Sequence, residues 1–273
     1  NATVSGGRSN TASGVCSFVG GGCANAASAS NTVVAGGVSN TASGYTAAVV
    51  SGFQNRALAS YSFVGGGYRN TASGNYSTVG GGYVNCADSL GATASGGYKN
   101  CVVARNGTVG GGICNMLCGA NDCCAAGATI AGGIGGNTVG GTYSLALGYF
   151  SAAPTICLAG QYSTIGGGFQ NRATGVGSSV SGGFVNTASG AYYAFVGGGY
   201  GNIATTSESV VAGGESNSST GLEAAILGGR GSTASGAYSA IGGGYFNISS
   251  GACSAIGGGS SNIASGIWAT VAG

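Results

Sequence analysis

Residues Asn70-Thr71-Ala72-Ser73-Gly74-Asn75-Tyr76-Ser77-Thr78-Val79-Gly80-Gly81-Gly82-Tyr83-Val84-Asn85 hold one full period of this chain. The asparagine returns after fifteen residues, and most of the residue types between return with it. Working outward, the same column holds Asn10, Asn25, Asn40, Asn55, Asn70, Asn85, Asn100, Asn115, Asn171, Asn186, Asn202, Asn217, Asn247 and Asn262. A fixed period this short makes each repeat one coil of a solenoid.

The consensus reads V-x-G-G-x-x-N-x-A-S-G-x-Y-S-x. Two short extended pieces alternate with two glycine turns, one after the branched apolar residue and one at the Ala-Ser-Gly step. Glycine belongs where φ is positive or where backbones approach closely. Its frequency also disfavours helix, because each glycine costs about 1 kcal/mol against alanine in a helix interior. The fold expected is therefore all-β, a parallel β-roll or β-solenoid. Counting the branched apolar column from Val4 to Val271, with Ala94 in one slot and Leu145 in another, gives about 18 coils. At the ~4.8 Å spacing of paired strands, these would make a rod roughly 80 Å long. The interior expected is a thin strip of Val facing small residues such as Ala27, Ala42, Ala57 and Ala72.

Composition narrows the function classes. Of 273 residues, 62 are glycine, one is proline, none is histidine, and 7 basic plus 5 acidic residues carry all the charge. Disordered chains combine low hydrophobicity with high net charge; here 43% of residues are apolar and the formal charge is +2. Glycine does not recur every third residue, which excludes collagen. No apolar run reaches the roughly 18 residues of a membrane helix, so no membrane insertion is expected. The small charge gives no footprint for nucleic acid. Residue 1 is Asn rather than Met, which reads as a processed product or a fragment. Neither end carries the charged cap that blocks an open coil, so capping segments or end-to-end stacking into a fibre are expected.

Two aromatic columns are too large for so slim an interior. Phe53, Tyr68, Tyr83, Tyr98, Tyr149, Phe169, Phe184, Tyr200 and Tyr245 form one; Tyr61, Tyr76, Tyr162, Tyr193, Tyr238 and Trp268 form the other. They either ladder along the outside or become buried between chains, and a long apolar stripe is an association surface. The asparagine column reads as a ladder of amides holding the coils in register. A polar ligand array is its alternative.

The phrases starting at Asn70 and at Asn186 (Asn-Thr-Ala-Ser-Gly-Ala-Tyr-Tyr-Ala-Phe-Val-Gly-Gly) resemble the head repeats of trimeric autotransporter adhesins. Similar repeats occur in some fibre-like proteins of viruses and phages. The resemblance covers nearly the whole chain and implies a left-handed parallel β-roll and a homotrimer. The chain departs from that family in its period of fifteen where fourteen is common, in its Gly-Gly pair and in its ten cysteines. It also lacks a recognisable neck, stalk or anchor.

One repeat domain over 1–273 is expected, with an inserted Cys-rich loop at 114–129 and a second inserted loop at 149–162. These follow from spacings of 21 between Val109 and Ile130 and of 20 between Leu145 and Ile165. A third irregularity is the spacing of 16 between Val180 and Val196. Insertions in solenoids leave the stack by one face and are where binding is first sought.

Cys86 and Cys101 share one column of adjacent coils, about 4.8 Å apart, which suits a disulfide. Cys114, Cys118, Cys123 and Cys124 are further disulfide candidates, since their spacing is poor for zinc. Ten cysteines point to an extracellular, cell-surface or virion-surface location. Sequons stand at Asn1, Asn75, Asn106, Asn217 and Asn247, with Asn75 and Asn106 the glycosylation candidates. No catalytic residue, cofactor or metal is assigned: there is no histidine, and the Gly-Gly-Gly runs lack the G-K-[ST] of phosphate loops. Glu208 and Glu223 share a column, and Glu215 is expected to pair with Arg230.

The function expected is a non-catalytic, self-associating structural or adhesive fibre segment with a possible host-surface or matrix ligand. A viral or phage fibre with receptor-binding loops is one alternative. An ice-binding solenoid is another, opposed by the broken column Thr11, Ala26, Thr41, Arg56, Thr71, Cys86, Cys101.

Overall fold

A computed structural model describes residues 1–117, 126–133 and 160–273. They form an all-β parallel β-solenoid of about 16 turns with a period near 15 residues, and none of the described residues is helical. Of the coils counted in the sequence, the one at Leu145 lies outside the described residues. So do half of the first inserted loop (118–125) and most of the second (149–159), including Cys118, Cys123, Cys124 and Tyr149. The chain divides into two compact units, Asn1–Gly132 and Gly133–Gly273.

In the first unit each coil from Thr3–Val4 to Met116–Leu117 contributes two strands of two residues. On one face Thr3–Val4 pairs in parallel with Phe18–Val19, and the ladder continues in register through Thr78–Val79 to Thr108–Val109. On the other face an eight-stranded sheet runs from Thr11–Ala12 to Met116–Leu117. Thr108–Val109 then pairs with Thr129–Ile130, so the six extra residues between them cost the ladder no register. The second unit repeats the plan. One ladder runs from Thr164–Ile165 to Thr270–Val271, and a seven-stranded sheet runs from Arg172–Ala173 to Ile263–Ala264. There Ser179 pairs with Phe195 across the sixteen-residue spacing.

A two-residue strand points one side chain in and the next out. Val19, Val34, Val49, Val64 and Val79 fill the inward column of one sheet, and Ala27, Ala42, Ala57, Ala72 and Ala87 that of the other, all with no solvent exposure. Each buried valine contributes about 1.5–3 kcal/mol. A third inward column holds small residues; its Thr32 and Ser62 hydroxyls donate to the Ala29 and Ala59 carbonyls at 2.7 Å.

The two glycine turns differ in kind. Gly67 has φ +89°, and a Cβ there would also lie 2.2 Å from the Gly82 carbonyl oxygen. Gly74 needs no positive φ, but its Cβ would lie 2.0 Å from the Ser89 oxygen. Close stacking alone requires glycine at the Ala-Ser-Gly step.

Glycine is not the only residue to turn left-handed. The residue before each seam asparagine does so, as at Arg69 (φ 53°) and Val84 (φ 54°), and so does the residue of the second aromatic column, as at Tyr61 and Tyr76 (φ 58°). Left-handed backbone costs an L residue roughly 1–2 kcal/mol. Where a coil precedes, a compensating bond forms, as when Arg69 N–H donates back to the Phe53 carbonyl and Tyr76 N–H to that of Ser60, both at 2.9 Å. Strand amides donate forward instead, as Thr71 does to Asn85 at 2.9 Å. Each coil is thus bonded to its neighbours by amides of both senses.

Candidate functional site

The asparagine column lies inside the protein. From Asn25 to Asn115 and from Asn171 to Asn247 its asparagines are at most 1% exposed; Asn10 and Asn262 are half-buried. Each amide serves backbone groups rather than its neighbour's amide. In Asn70 the Oδ1 accepts the Asn85 N–H at 2.8 Å, while Nδ2 donates to the Gly66 carbonyl at 2.7 Å and the Gly82 carbonyl at 2.9 Å. Asn55 does the same with the Asn70 N–H, the Ser51 carbonyl and the Gly67 carbonyl. Among the described residues, the amide-to-amide bonding expected of a ladder is seen as long secondary contacts, Asn85 to Asn70 at 3.2 Å and Asn186 to Asn171 at 3.3 Å. The reason is local: the glycine turn aims the Gly66 and Ser51 carbonyls inward, where no backbone N–H reaches them, and buried backbone groups require partners. The Gly82 and Gly67 carbonyls take the amide as a second donor beside the Tyr68 and Phe53 N–H groups. An amide with donors and acceptor so engaged has little left for a ligand.

At Ser232 the column changes residue. Ser232 N–H donates to Asn217 Oδ1 at 3.0 Å, and its own hydroxyl accepts the Asn247 N–H at 3.2 Å.

The aromatic columns face outward. Phe53, Tyr68, Tyr83 and Tyr98 stack with centroid separations of 5.4, 4.8 and 5.0 Å and rings within 9° of parallel. Phe169, Phe184 and Tyr200 stack likewise in the second unit, at 4.7 and 5.4 Å. Glu215 and Arg230 then occupy the column, ion-paired at 3.3 Å, with Tyr245 beyond them. Rings of the first column are about two-fifths exposed, as in Tyr83 at 41%, and those of the second more so, with Trp268 at 74%.

Cys86 and Cys101 are joined by a disulfide, their Cα atoms 4.6 Å apart. Asp88 stands beside them, its carboxylate accepting from the Ser73 hydroxyl. The two sulfurs and an Asp88 oxygen lie within 4.8 Å of one another. With the sulfurs bonded to each other, no thiolate pair is available to a metal. Cys114 is a free thiol, half-buried, and burial raises its pKa against the opposing charge of Lys99. Its sequence-predicted partners lie outside the described residues. Asn75 and Asn106 are exposed, whereas Asn217 and Asn247 are fully buried, which leaves no room for a glycan at either. Glu208 and Glu223 both take left-handed turn positions and are exposed.

A cleft of roughly 480 Å³ in the first unit has no counterpart in the sequence-based expectations. It is lined by Ser39, Thr41, Gln54, Arg56, Arg69, Thr71 and Val84. The signal available in sequence was its two arginines, in a chain with only seven basic residues. They come from different columns of successive coils, so a column-by-column reading does not place them together. Compared with known proteins, the chain matches no family model and no curated protein.

Proposed function

We propose that this chain is a structural and adhesive segment of an extracellular fibre or adhesin head, non-catalytic and self-associating. The observation that carries the reading is the stacked, half-exposed aromatic column, set on a frame whose polar seam is consumed by its own backbone. Soluble surfaces rarely leave aromatic rings in contiguous rows. A ring that presents about 80 Å² would gain about 2 kcal/mol on full burial. Four in a row supply about 8 kcal/mol toward an association cost of roughly 4–15 kcal/mol. The resemblance to trimeric adhesin heads supports a left-handed roll and three chains packed through these columns. The disulfide supports an oxidising, extracellular setting.

Sedimentation equilibrium checks this reading. A trimer is expected at micromolar concentration, and Tyr68→Ser with Tyr83→Ser should shift it to monomer. A wild-type chain that stays monomeric in dilute buffer overturns the reading.

A second reading, ice binding, gains from one observation. Thr78, Thr93, Thr108 and Thr129 stand in register on four successive strands with their side chains on the outward face. Thermal hysteresis of the purified chain is the corresponding measurement, and its absence removes that reading.

A further inference from the structure

Arg56 and Arg69 sit on adjacent coils, on either side of the buried Asn55–Asn70 seam. Arg56 is the outward residue of the strand Arg56–Ala57, between Thr41 and Thr71 of the neighbouring strands. Arg69 holds one of the left-handed turn positions. Its Nε donates to Gln54 Oε1 at 2.6 Å, and its guanidinium carbon lies 5.2 Å from the centroid of the Tyr68 ring. These two contacts fix the guanidinium and leave its terminal nitrogens without a partner among the described residues. Neither arginine pairs with a carboxylate; the ion pair found among the described residues is Arg230–Glu215.

A planar fork held in place without a counter-charge is pre-organised for an oxyanion, which it can take with two parallel hydrogen bonds. Around the forks stand groups of a different kind. The hydroxyls of Ser39, Thr41 and Thr71 and the amide of Gln54 donate and accept in a neutral manner that matches sugar hydroxyls. The cleft is shallow and its arginines are exposed, so a lone small anion would gain little from it against solvent and salt. A polymer that offers anionic groups and hydroxyls together, repeatedly, gains by effective concentration. Nucleic acid fits less well, because a chain with formal charge +2 offers no track of cations along which counterions are released.

We propose that this cleft binds an acidic polysaccharide, with Arg56 and Arg69 taking a carboxylate or sulfate group and Ser39, Thr41, Thr71 and Gln54 the adjoining hydroxyls. The proposal rests on the adhesive reading above and gives it a ligand class.

The second unit carries an internal control. Gly52-Phe-Gln-Asn-Arg-Ala57 recurs as Gly168-Phe-Gln-Asn-Arg-Ala173, but Val185 stands there where the first unit has Arg69. Arg172 therefore follows the same Gln-Asn pair as Arg56 and has Thr187 on the next strand where Arg56 has Thr71, but the next coil brings it no second guanidinium. Gln is a suitable replacement at 69, because Gln54 and Gln170 take the same left-handed turn.

The test measures binding of the intact chain to immobilised heparin (sulfated), polygalacturonate (carboxylated) and dextran (neutral) at low salt, for wild type, R56Q, R69Q and R172Q. Wild type is expected to bind one or both acidic polymers and not dextran, and the preferred polymer identifies the oxyanion. R56Q and R69Q should each weaken binding about tenfold. R172Q should stay within about twofold of wild type. Equal loss in R172Q, undiminished binding in the R56Q/R69Q double variant, tighter binding to single-stranded RNA, or no binding by wild type each overturns the proposal. Sedimentation of the same samples reports the trimer separately, so the cleft and the assembly can fail independently.

Discussion

The two units are built to one plan but fill its columns differently. In the first, the asparagine seam runs without a break from Asn10 to Asn115, four aromatic rings stack in a row, and a disulfide joins two coils. In the second, the seam changes to serine at Ser232, and the aromatic column gives way to the Glu215–Arg230 pair. Buried hydroxyls also replace two inward alanines there: Ser219 donates to the Ala224 carbonyl at 2.8 Å, and Ser249 bonds Ser254 at 2.7 Å. Every departure is answered by a partner in the same or the next coil. A stack whose coils touch only their neighbours can absorb a change locally, because no distant contact depends on it.

The seam gives the sharpest way to break this comparison. Asn70→Ala should destabilise the first unit by about 2–4 kcal/mol, because it leaves the buried Asn85 N–H and the Gly66 carbonyl without a partner and removes one of two bonds at the Gly82 carbonyl. Ser232→Ala removes one bond of 3.2 Å and should cost only about 1 kcal/mol. Ser232→Asn should be stabilising by a similar amount, through the carbonyls of Gly228 and Gly244. Hydrogen exchange at the flanking amides reads each effect within its own unit. Equal losses in Asn70→Ala and Ser232→Ala would show that the seam asparagine contributes no more than the serine.

Next in size is the disulfide. It closes a 15-residue loop, for which chain entropy predicts about 3 kcal/mol. Reduction should therefore lower the first unit's resistance to urea and leave the second unit's unchanged. A common shift in both would mean that the units unfold together.

The smallest effect concerns Cys114. Burial raises its pKa, so the folded chain holds the thiol proton more tightly than the unfolded chain does. The stability this contributes is complete below the ordinary thiol range and is lost as pH rises through the raised folded value. Cys114 should accordingly alkylate more slowly than exposed Cys16 at pH 8, with the gap closing at higher pH. Equal rates at pH 8 would refute this.

Much of the fold was legible in the sequence because a period of fifteen converts spacing into contact. Cys86 and Cys101 fall together by that arithmetic alone, as do Phe53, Tyr68, Tyr83 and Tyr98. What the columns do not disclose lies between them. Left-handed φ at Arg69, Tyr76 and Val84 is invisible in residue type, since none of the three favours it; it comes with the turn geometry, which aims their amides at the preceding coil. The seam was recognised as a register device, but its bonding to glycine carbonyls depends on where the turn aims those groups. Arg56 and Arg69 meet across two columns and two coils, a diagonal that a list of columns does not contain.

The pairing of Thr108–Val109 with Thr129–Ile130 has a practical consequence. A ladder that closes over six surplus residues without shifting register treats chain length at that point as a free variable. Foreign peptide could be spliced between Leu117 and Ala126 while the coils below and above keep their partners. The molecule is, in that respect, a frame whose register is set by its strands and not by the length of chain that joins them.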